Sequence, residues 1–485
     1  MSTFAQSLNY LDLKRKSVGA RNYRVNISPR NGGIHNASGN VQLQLPTIAR
    51  SYADLSQAYI KLKLKTAGTA GFLDKNAYSL INRFQTSVAG TIIDEISQAN
   101  VLLHALYDLG TSKESANGFP FECLGSAGDP VMPNLGKQIA SNADTTLCIP
   151  CIPLPNIGVC GMERLLPLDV AEGLVITLFL ETANDAFLKG DAAHPTGYQL
   201  SEIELIVPVT ELSAESQNLL DQGLGENGYT MNIQSVNHTA TSKETTNLNV
   251  NTNLGFRYSS LSAIMTVMRA STNVGGQLCM SNRSHGNLKS YQINIGGQKY
   301  PQRAIEMEPA NHSEVLAELL LMKNVLNDET HQMSLNRSTY FNYDKVDKLA
   351  NNSDAAAIMA AIHPGLAGVT SAAGTLAKAG AAASLVSQES QFNIEDGKLA
   401  TAGLAGCTRS KYGTDVGTFM VGVDLDVFKS NADGLYNSLN TIGQQVTSEM
   451  VFSGNSTSAL TIDHYGFYNA VLIVDPVTRA FEVSY

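Results

Sequence analysis

A strand-like run that closes on a glycine-containing turn and passes into a helix occurs twice in this chain, and that repeat limits the folds open to it. The first copy is "INRFQTSVAGTIIDEISQANVLLHALYDLG", Ile81 to Gly110, with Val88-Ala89-Gly90 at its turn. The second begins "KSYQINIGGQKYPQ", Lys289 to Gln302, with Ile295-Gly296-Gly297 at its turn. The two turns stand 207 positions apart, from Val88 to Ile295. Each half shows the same order of parts: entry strand, small-Gly turn, helix, long loop, returning strands. The last strand of the first half is read near Ile203 to Val209 and its counterpart near Phe467 to Val474, about 265 positions on, so the second half holds the longer insertion.

Period-two alternation dominates the rest. In "AYIKLKLKT", Ile60, Leu62 and Leu64 face one way and Lys61, Lys63 and Lys65 the other, which predicts a half-buried strand. "GLVITLFLET" sets Leu174, Ile176, Leu178 and Leu180 on one face and Val175, Thr177 and Phe179 on a second, partly covered one. "SEIELIVPVTEL" lines up Ile203, Leu205, Val207 and Val209; Pro208 cannot donate to a ladder, so this strand is expected to end there or lie at an edge. "SSLSAIMTVMRAS", "TFMVGVDLDVF", "TSEMVFSG" and "FYNAVLIVDP" repeat the theme in the second half. Short strands bounded by Gly, Asn, Asp or Pro point to β-sandwiches.

Two helices stand out. Ile92, Ile96, Ala99, Leu103 and Leu106 recur at helical spacing, which predicts a helix from Ile92 with Asp94 and Glu95 early in it. "NHSEVLAELLLMKNVLN" predicts a second, capped by Ser313. Between the halves, "LSAESQNLLDQGLGENGY" reads as a short polar helix and a linker. Its Gly223, Gly225 and Gly228 spell a dinucleotide-loop pattern, but such a loop needs a strand before it and a helix after it, and here that order is reversed.

Charge and motifs exclude several functions. A net charge of -10 argues against a surface that binds nucleic acid throughout. The exception is residues 1–30, where Lys14, Arg15, Lys16, Arg21, Arg24 and Arg30 face Asp12 alone, a balance of +5. The start shows no signal peptide, and no window of 18 apolar residues predicts a membrane span. The Asn-x-Ser/Thr sequons are read as a product of an Asn- and Ser-rich chain. No nucleophile elbow, His-Glu-x-x-His or phosphate loop occurs, and the nine His are scattered. We therefore expect no enzyme, cofactor or metal. Cys148 and Cys151 form one Cys-x2-Cys without a second pair or a nearby His, so they read as reduced apolar residues rather than half a zinc site. Asp424 and Asp426 in "VDLDVF" read as a solvated or turn-facing pair, and Tyr465 and Phe467 as core or interface residues. "SDAAAIMAAIHPGLAGVTSAAGTLAKAGAAASLVSQ", residues 353–388, is too modest in hydrophobicity for a membrane-active segment and reads as a loop or short helices at a subunit contact.

Two tandem sandwiches with a helix after each Gly turn resemble the double jelly-roll major capsid proteins of DNA viruses. "VAGTIIDEISQANVLLHAL" resembles the strand–turn–helix of the first jelly roll. "MERLLPLDVAEGLVITLFLETANDAFL" and "YQLSEIELIVPVTELS" are similar to its closing strands. "INIGGQKYPQ" with its helix, "GLYNSLNTIGQQVTSEMVFSG" and "DHYGFYNAVLIVDP" are similar to parts of the second. The likeness is nearest to the polinton-like virus, adintovirus and virophage group, with the adenovirus hexon further off.

The resemblance implies an all-β fold with a few helices, two tandem eight-stranded jelly-roll β-sandwiches. The expected layout is a basic arm over residues 1–21, a first jelly roll over 22–213, a linker over 214–228, and a second jelly roll over 229–485 with an Ala/Gly-rich insertion near 340–410. It also implies a homotrimer forming pseudo-hexagonal capsomers that tile an icosahedral shell, located in the virion. Implied partners are its own copies, neighbouring capsomers, and minor capsid, penton or cement proteins. The arm, through Lys14, Arg15 and Lys16, is expected to face inward and contact the genome, an internal membrane or a minor protein. The alternative from the residues alone is a carbohydrate-binding or adhesive β-sandwich, against which the absence of Trp counts.

Overall fold

A computed structural model describes residues 19–74, 76–88, 90–110, 135–150, 158–162, 164–170, 173–187, 195–224, 228–271, 283, 285–307, 313–325, 335, 340, 418–427, 438–456, 459–475 and 481–484. The first half contributes β1 (Ala20–Ile27), β2 (Asn40–Gln44), β3 (Tyr59–Ala67), β4 (Ile81–Val88), β5 (Thr91–Ser97), β6 (Thr145–Pro150), β7 (Leu174–Leu180) and β8 (Gly197–Leu212). Helix α1 (Ala99–Gly110) follows β5, and α2 (Ala214–Leu224) follows β8. The second half contributes β9 (Tyr229–Lys243), β10 (Asn249–Leu254), β11 (Leu261–Ala270), β12 (Leu288–Ile295), β13 (Gln298–Glu306), β14 (Val421–Asp424), β15 (Val446–Phe452) and β16 (Leu460–Val474). Helix α3 (Ser313–Val325) follows β13.

The two halves pair their strands in one order. In the first, β1-β8-β3-β6 make one sheet and β2-β7-β4-β5 the other, all antiparallel. In the second, β9-β16-β11-β14 and β10-β15-β12-β13 do the same, so strand n corresponds to strand n+8. Shorter strands extend the sheets. Ser51–Ala53 and Ile34–Asn36 pair with β8, and Phe481–Ser484 pairs with β16.

Side-chain alternation decides which way each strand faces. Ile60, Leu62 and Leu64 on β3 are buried while Lys61 is exposed and Lys63 and Lys65 lie at the surface, as the lysine alternation requires. They meet Val41, Leu43, Ile176 and Leu178 of the facing sheet. In the second half β11 is buried on both faces from Leu261 to Met268, because α3 covers it and β14 from outside. At Gly422 on β14 a Cβ would collide with Met322 of α3, so glycine sets how closely that helix approaches. The hairpins β4–β5 and β12–β13 turn at Gly90 (φ 88°) and at Gly296 and Gly297 (φ 58° and 89°), left-handed conformations that glycine adopts without a Cβ clash.

Two local expectations are corrected. The stripe that begins at Ile92 does not start a helix: Thr91–Ser97 is β5, and α1 starts at Ala99. Asp94 and Glu95 therefore sit in a strand, held there by pairing with Thr86 and Gln85. A spacing of four apolar positions overlaps one of two, and the hairpin partner resolves the ambiguity. Pro208 neither ends β8 nor lies at a sheet edge, since β1 pairs along one side of it and β3 and Ser51–Ala53 along the other. Its carbonyl accepts from Asp54 N at 3.0 Å, so its donor-less nitrogen points into the gap where the ladder passes from β3 to Ser51–Ala53.

Residues 1–18 and 341–417 are outside the described set, and the Ala/Gly-rich insertion with them. Among the described residues no helix is long and apolar enough to cross a membrane.

Candidate functional site: the seam between the two sandwiches

Among the described residues a group of buried polar side chains lies where the halves meet. Helix α1 explains part of it. Every residue from Ala99 to Leu109 is buried, so a helix that reads as amphipathic is enclosed on all sides. Its polar side chains then need partners. Asn100 Nδ2 donates to Glu181 Oε2 at 2.9 Å, His104 Nε2 bonds Asp74 O at 3.0 Å, and Asp108 pairs with the guanidinium of Arg283 from the second half. Arg283 is fully buried, so this pair stands where water cannot screen it.

Along the seam proper, β9 runs against the open side of β5 and against the 3-10 turn Val159–Gly161. Gly158 N donates to Gln234 O at 2.6 Å, and Ser235 Oγ donates to the carboxylate of Asp94. Gly158 has φ 69°, and a Cβ on it would strike Asp94 Oδ2, so this glycine is what lets the turn close over the acid. Burial pushes the Asp94 carboxyl above its ordinary value, against the opposing hydrogen bonds from Ser235 and from the Val159 and Glu95 backbones.

The seam is tied at both ends. At one, Tyr52 donates its hydroxyl to Gln217 Oε1 of α2 at 2.9 Å and lies 3.3 Å from the hydroxyl of Tyr229 on β9. Arg164 Nη1 donates to Thr230 O at 2.6 Å nearby. At the other, Gln98 sits in the tight turn between β5 and α1 (φ 50°). Its carbonyl accepts from Tyr465 Oη at 3.1 Å, and its side-chain oxygen accepts from Arg269 at 3.4 Å. Arg269 and His238 both hold Asp463, at 2.7 and 2.9 Å. Burial raises the Asp463 carboxyl, but the His238 hydrogen bond and the Arg269 charge outweigh it and leave the group below the ordinary carboxylate value. Behind it, His464 bonds Thr266 Oγ1 at 2.8 Å inside the second core, and burial pushes its imidazole down to about 3.

The residues singled out by sequence fall elsewhere or apart. Lys14, Arg15 and Lys16 lie outside the described residues, as does Cys151, while Cys148 sits on β6 opposite Lys61. Among the described residues no three of His, Cys, Asp and Glu gather as a metal set. Asp424 Oδ1 accepts from Asp426 N at 2.8 Å and Asp426 Oδ1 accepts from Ser438 Oγ at 2.7 Å, which makes the pair a turn at the end of β14. Tyr465 and Phe467 are fully buried, the first at the seam. Sequence reading missed Asp94, Asp108, Arg269, Arg283 and Asp463. For Asp94, Asp108, Arg269 and Asp463 the signal was present, since each interrupts or closes an apolar run, where a charge needs a buried partner; Arg283 stands in the polar stretch "SNRSH" and gave none.

Comparison with solved structures agrees on the architecture. The chain superposes on the PBCV-1 virus capsid at TM-score 0.53 and 10% identity, covering 97% of this chain and 98% of that one. It superposes on the Faustovirus major capsid protein at 0.51 and 8%, covering 97% and 93%. It superposes on a chain of the Sputnik virophage at 0.50 and 11%, covering 100% and 92%. The fold is the double jelly roll. Neither a protein-family model nor a curated protein matches the sequence. At 8–11% identity the likeness rests on backbone alone, and the double jelly roll here is recognised by its strand order and its tandem repeat rather than by shared residues.

Among the sheet-edge strands of the double jelly roll, two correspond to the pair that meets at the seam. Among the described residues β1 pairs only with β8, and β13 only with β12. Ala20, Arg21, Asn22, Arg24 and Asn26 are exposed on β1, and Gln298, Lys299, Gln302, Arg303 and Glu306 on β13. Their counterparts at the seam behave differently: Ile233 to Val236 of β9 and Ile93 and Asp94 of β5 are buried.

Proposed function

We propose that this chain is a viral major capsid protein that assembles as a closed homotrimer, a pseudo-hexagonal block that tiles an icosahedral shell around a DNA genome. One observation carries the reading: the β5–β9 seam. It joins the fifth strand of one jelly roll to the first strand of the next. The contact is heterologous, so it either propagates or closes. The chain repeats the jelly roll and leaves β13 and β1 open, the strands that correspond to β5 and β9. Placing β13 of one copy against β1 of the next repeats the same contact, and three copies supply six jelly rolls for a closed ring. Exposed edges are a liability in a protein that stays alone and an interface in one that assembles.

The solved relatives are described as a virus capsid and a major capsid protein, and the role carries over to this chain on the shared fold. It acts without catalysis, inside the virion, with its own copies and neighbouring capsomers as first partners and minor capsid, penton or cement proteins as further ones.

Light scattering after size exclusion tests the trimer. From a 51.8 kDa chain the expected mass is about 155 kDa. Electron microscopy of the same fraction should show hexagonal outlines or shells. A stable monomer that forms no larger body overturns the proposal, and glycan screening would then test the adhesive alternative.

A further inference from the structure

Helix α2 is an unusual element for its position. Of its 11 residues Gln217 alone is buried. Leu219 is 70% exposed and Leu220 36%. A helix this short is marginal by itself and depends on packing an apolar face. The stripe Ser216, Leu219, Leu220 and Gly223 follows helical spacing, two leucines between small residues, with Glu215 and Asp221 beside it. Residues 213–228 carry Glu215, Asp221 and Glu226 and no Lys or Arg.

The chain enters the described structure at the head of that stripe. Gly19 O accepts from Ser213 N at 2.7 Å. A Cβ on Gly19 would lie 2.9 Å from Ser213 Oγ and 4.0 Å from Ser216 Oγ. Residues 1–18 therefore leave from the side of α2 where the stripe starts. They include Phe4, Leu8, Leu11 and Leu13, and the basic run Lys14, Arg15 and Lys16 against Asp12. Lys14 to Lys16 stand three to five residues before Gly19, within about 10–17 Å of it when extended. Helix α2 is about 16 Å long, a length comparable with that span.

We propose that α2 is the docking site for the N-terminal segment of its own chain. Residues 1–18 run back along α2, their leucines covering Leu219 and Leu220 and their cations facing Glu215 and Asp221. The segment is thereby stored on the capsomer, and its contact with a genome, membrane or minor protein requires release. This rests on the capsid reading only for that last role; the docking itself does not.

Limited trypsin digestion and amide hydrogen exchange of the full chain test it. In the native protein cleavage after Lys14, Arg15 and Lys16 should be at least tenfold slower than in Leu219→Glu/Leu220→Glu. Exchange across 218–223 should speed up by a similar factor on deletion of residues 2–18. A second variant, Glu215→Lys, alters one exposed carboxylate and should expose the same bonds. Equal cleavage in native and variant proteins, with α2 exchange unchanged by the deletion, overturns the proposal. Protection that disappears on dilution to monomer also overturns it, by placing the segment on a neighbouring copy. Mass measured on the same samples separates these outcomes from failure of the trimer.

Discussion

The hydroxyl of Tyr465 donates to the backbone carbonyl of Gln98 at 3.1 Å, joining the last strand of the second jelly roll to the turn that opens α1 in the first, 367 positions earlier. Tyr465→Phe removes that donor and nothing else. The Gln98 carbonyl keeps the bond from Leu102 N at 3.2 Å, so the loss is that of one ordinary hydrogen bond, about 0.5–1.5 kcal/mol, and chemical denaturation should show a loss of stability in this range with an unchanged slope. No loss would mean the seam does not depend on this bond.

Asp108 and Arg283 make the buried ion pair between the jelly rolls. Removing one partner strands the other charge away from water, which costs about 3–5 kcal/mol. Asp108→Ala should lower the unfolding free energy by that amount. The double change Asp108→Leu/Arg283→Met should recover most of it, since it buries no charge. A double-mutant cycle reads the coupling, and additive effects would contradict it.

Asp94 predicts a pH dependence. Its folded carboxyl lies above the ordinary value, so the fold takes up a proton more readily than the unfolded chain. Its stabilisation is fully present below about pH 3.9, the unfolded value, and is lost as pH rises through the folded one. Asp94→Asn still accepts from Ser235 and carries no charge. Its thermal midpoint should exceed the native one at pH 7, and the gap should narrow toward pH 4. A constant difference across that range would count against the assignment.

His464 acts with the opposite sign. Its imidazole is pushed down to about 3 by burial, below an unfolded value of about 6.5. The neutral ring's stabilisation is present above pH 6.5 and is lost as pH falls from there toward 3. His464→Gln should flatten that part of the stability profile in urea titrations at pH 7 and pH 4.5. An unchanged slope would show that another group sets it.

Leu321, 39% exposed on α3 beside β13, should matter to assembly and not to folding. Leu321→Asp removes apolar area worth about 2 kcal/mol where it is covered by a neighbour. The variant should keep its unfolding midpoint and shift from trimer to monomer in sedimentation at low concentration. A trimer of unchanged affinity would place the contact elsewhere.

Local pattern alone determined most strand faces. The lysine alternation on β3, the apolar alternation on β7 and the glycine turns before β5 and β13 are properties of neighbouring residues, and periodicity records them. The tandem order of parts was legible for the same reason, because each jelly roll repeats its own local signals. Only the tertiary structure decided that Thr91–Ser97 is a strand, since Arg83 to Val88 had to pair with it. It alone placed Pro208 at a gap in its ladder. It alone joined Asp94 to Ser235, Asp108 to Arg283 and Gln98 to Tyr465, across 141, 175 and 367 positions. A buried polar group gains its stability from whatever partner the fold brings to it, and a pattern of near neighbours holds no record of a partner so far along the chain.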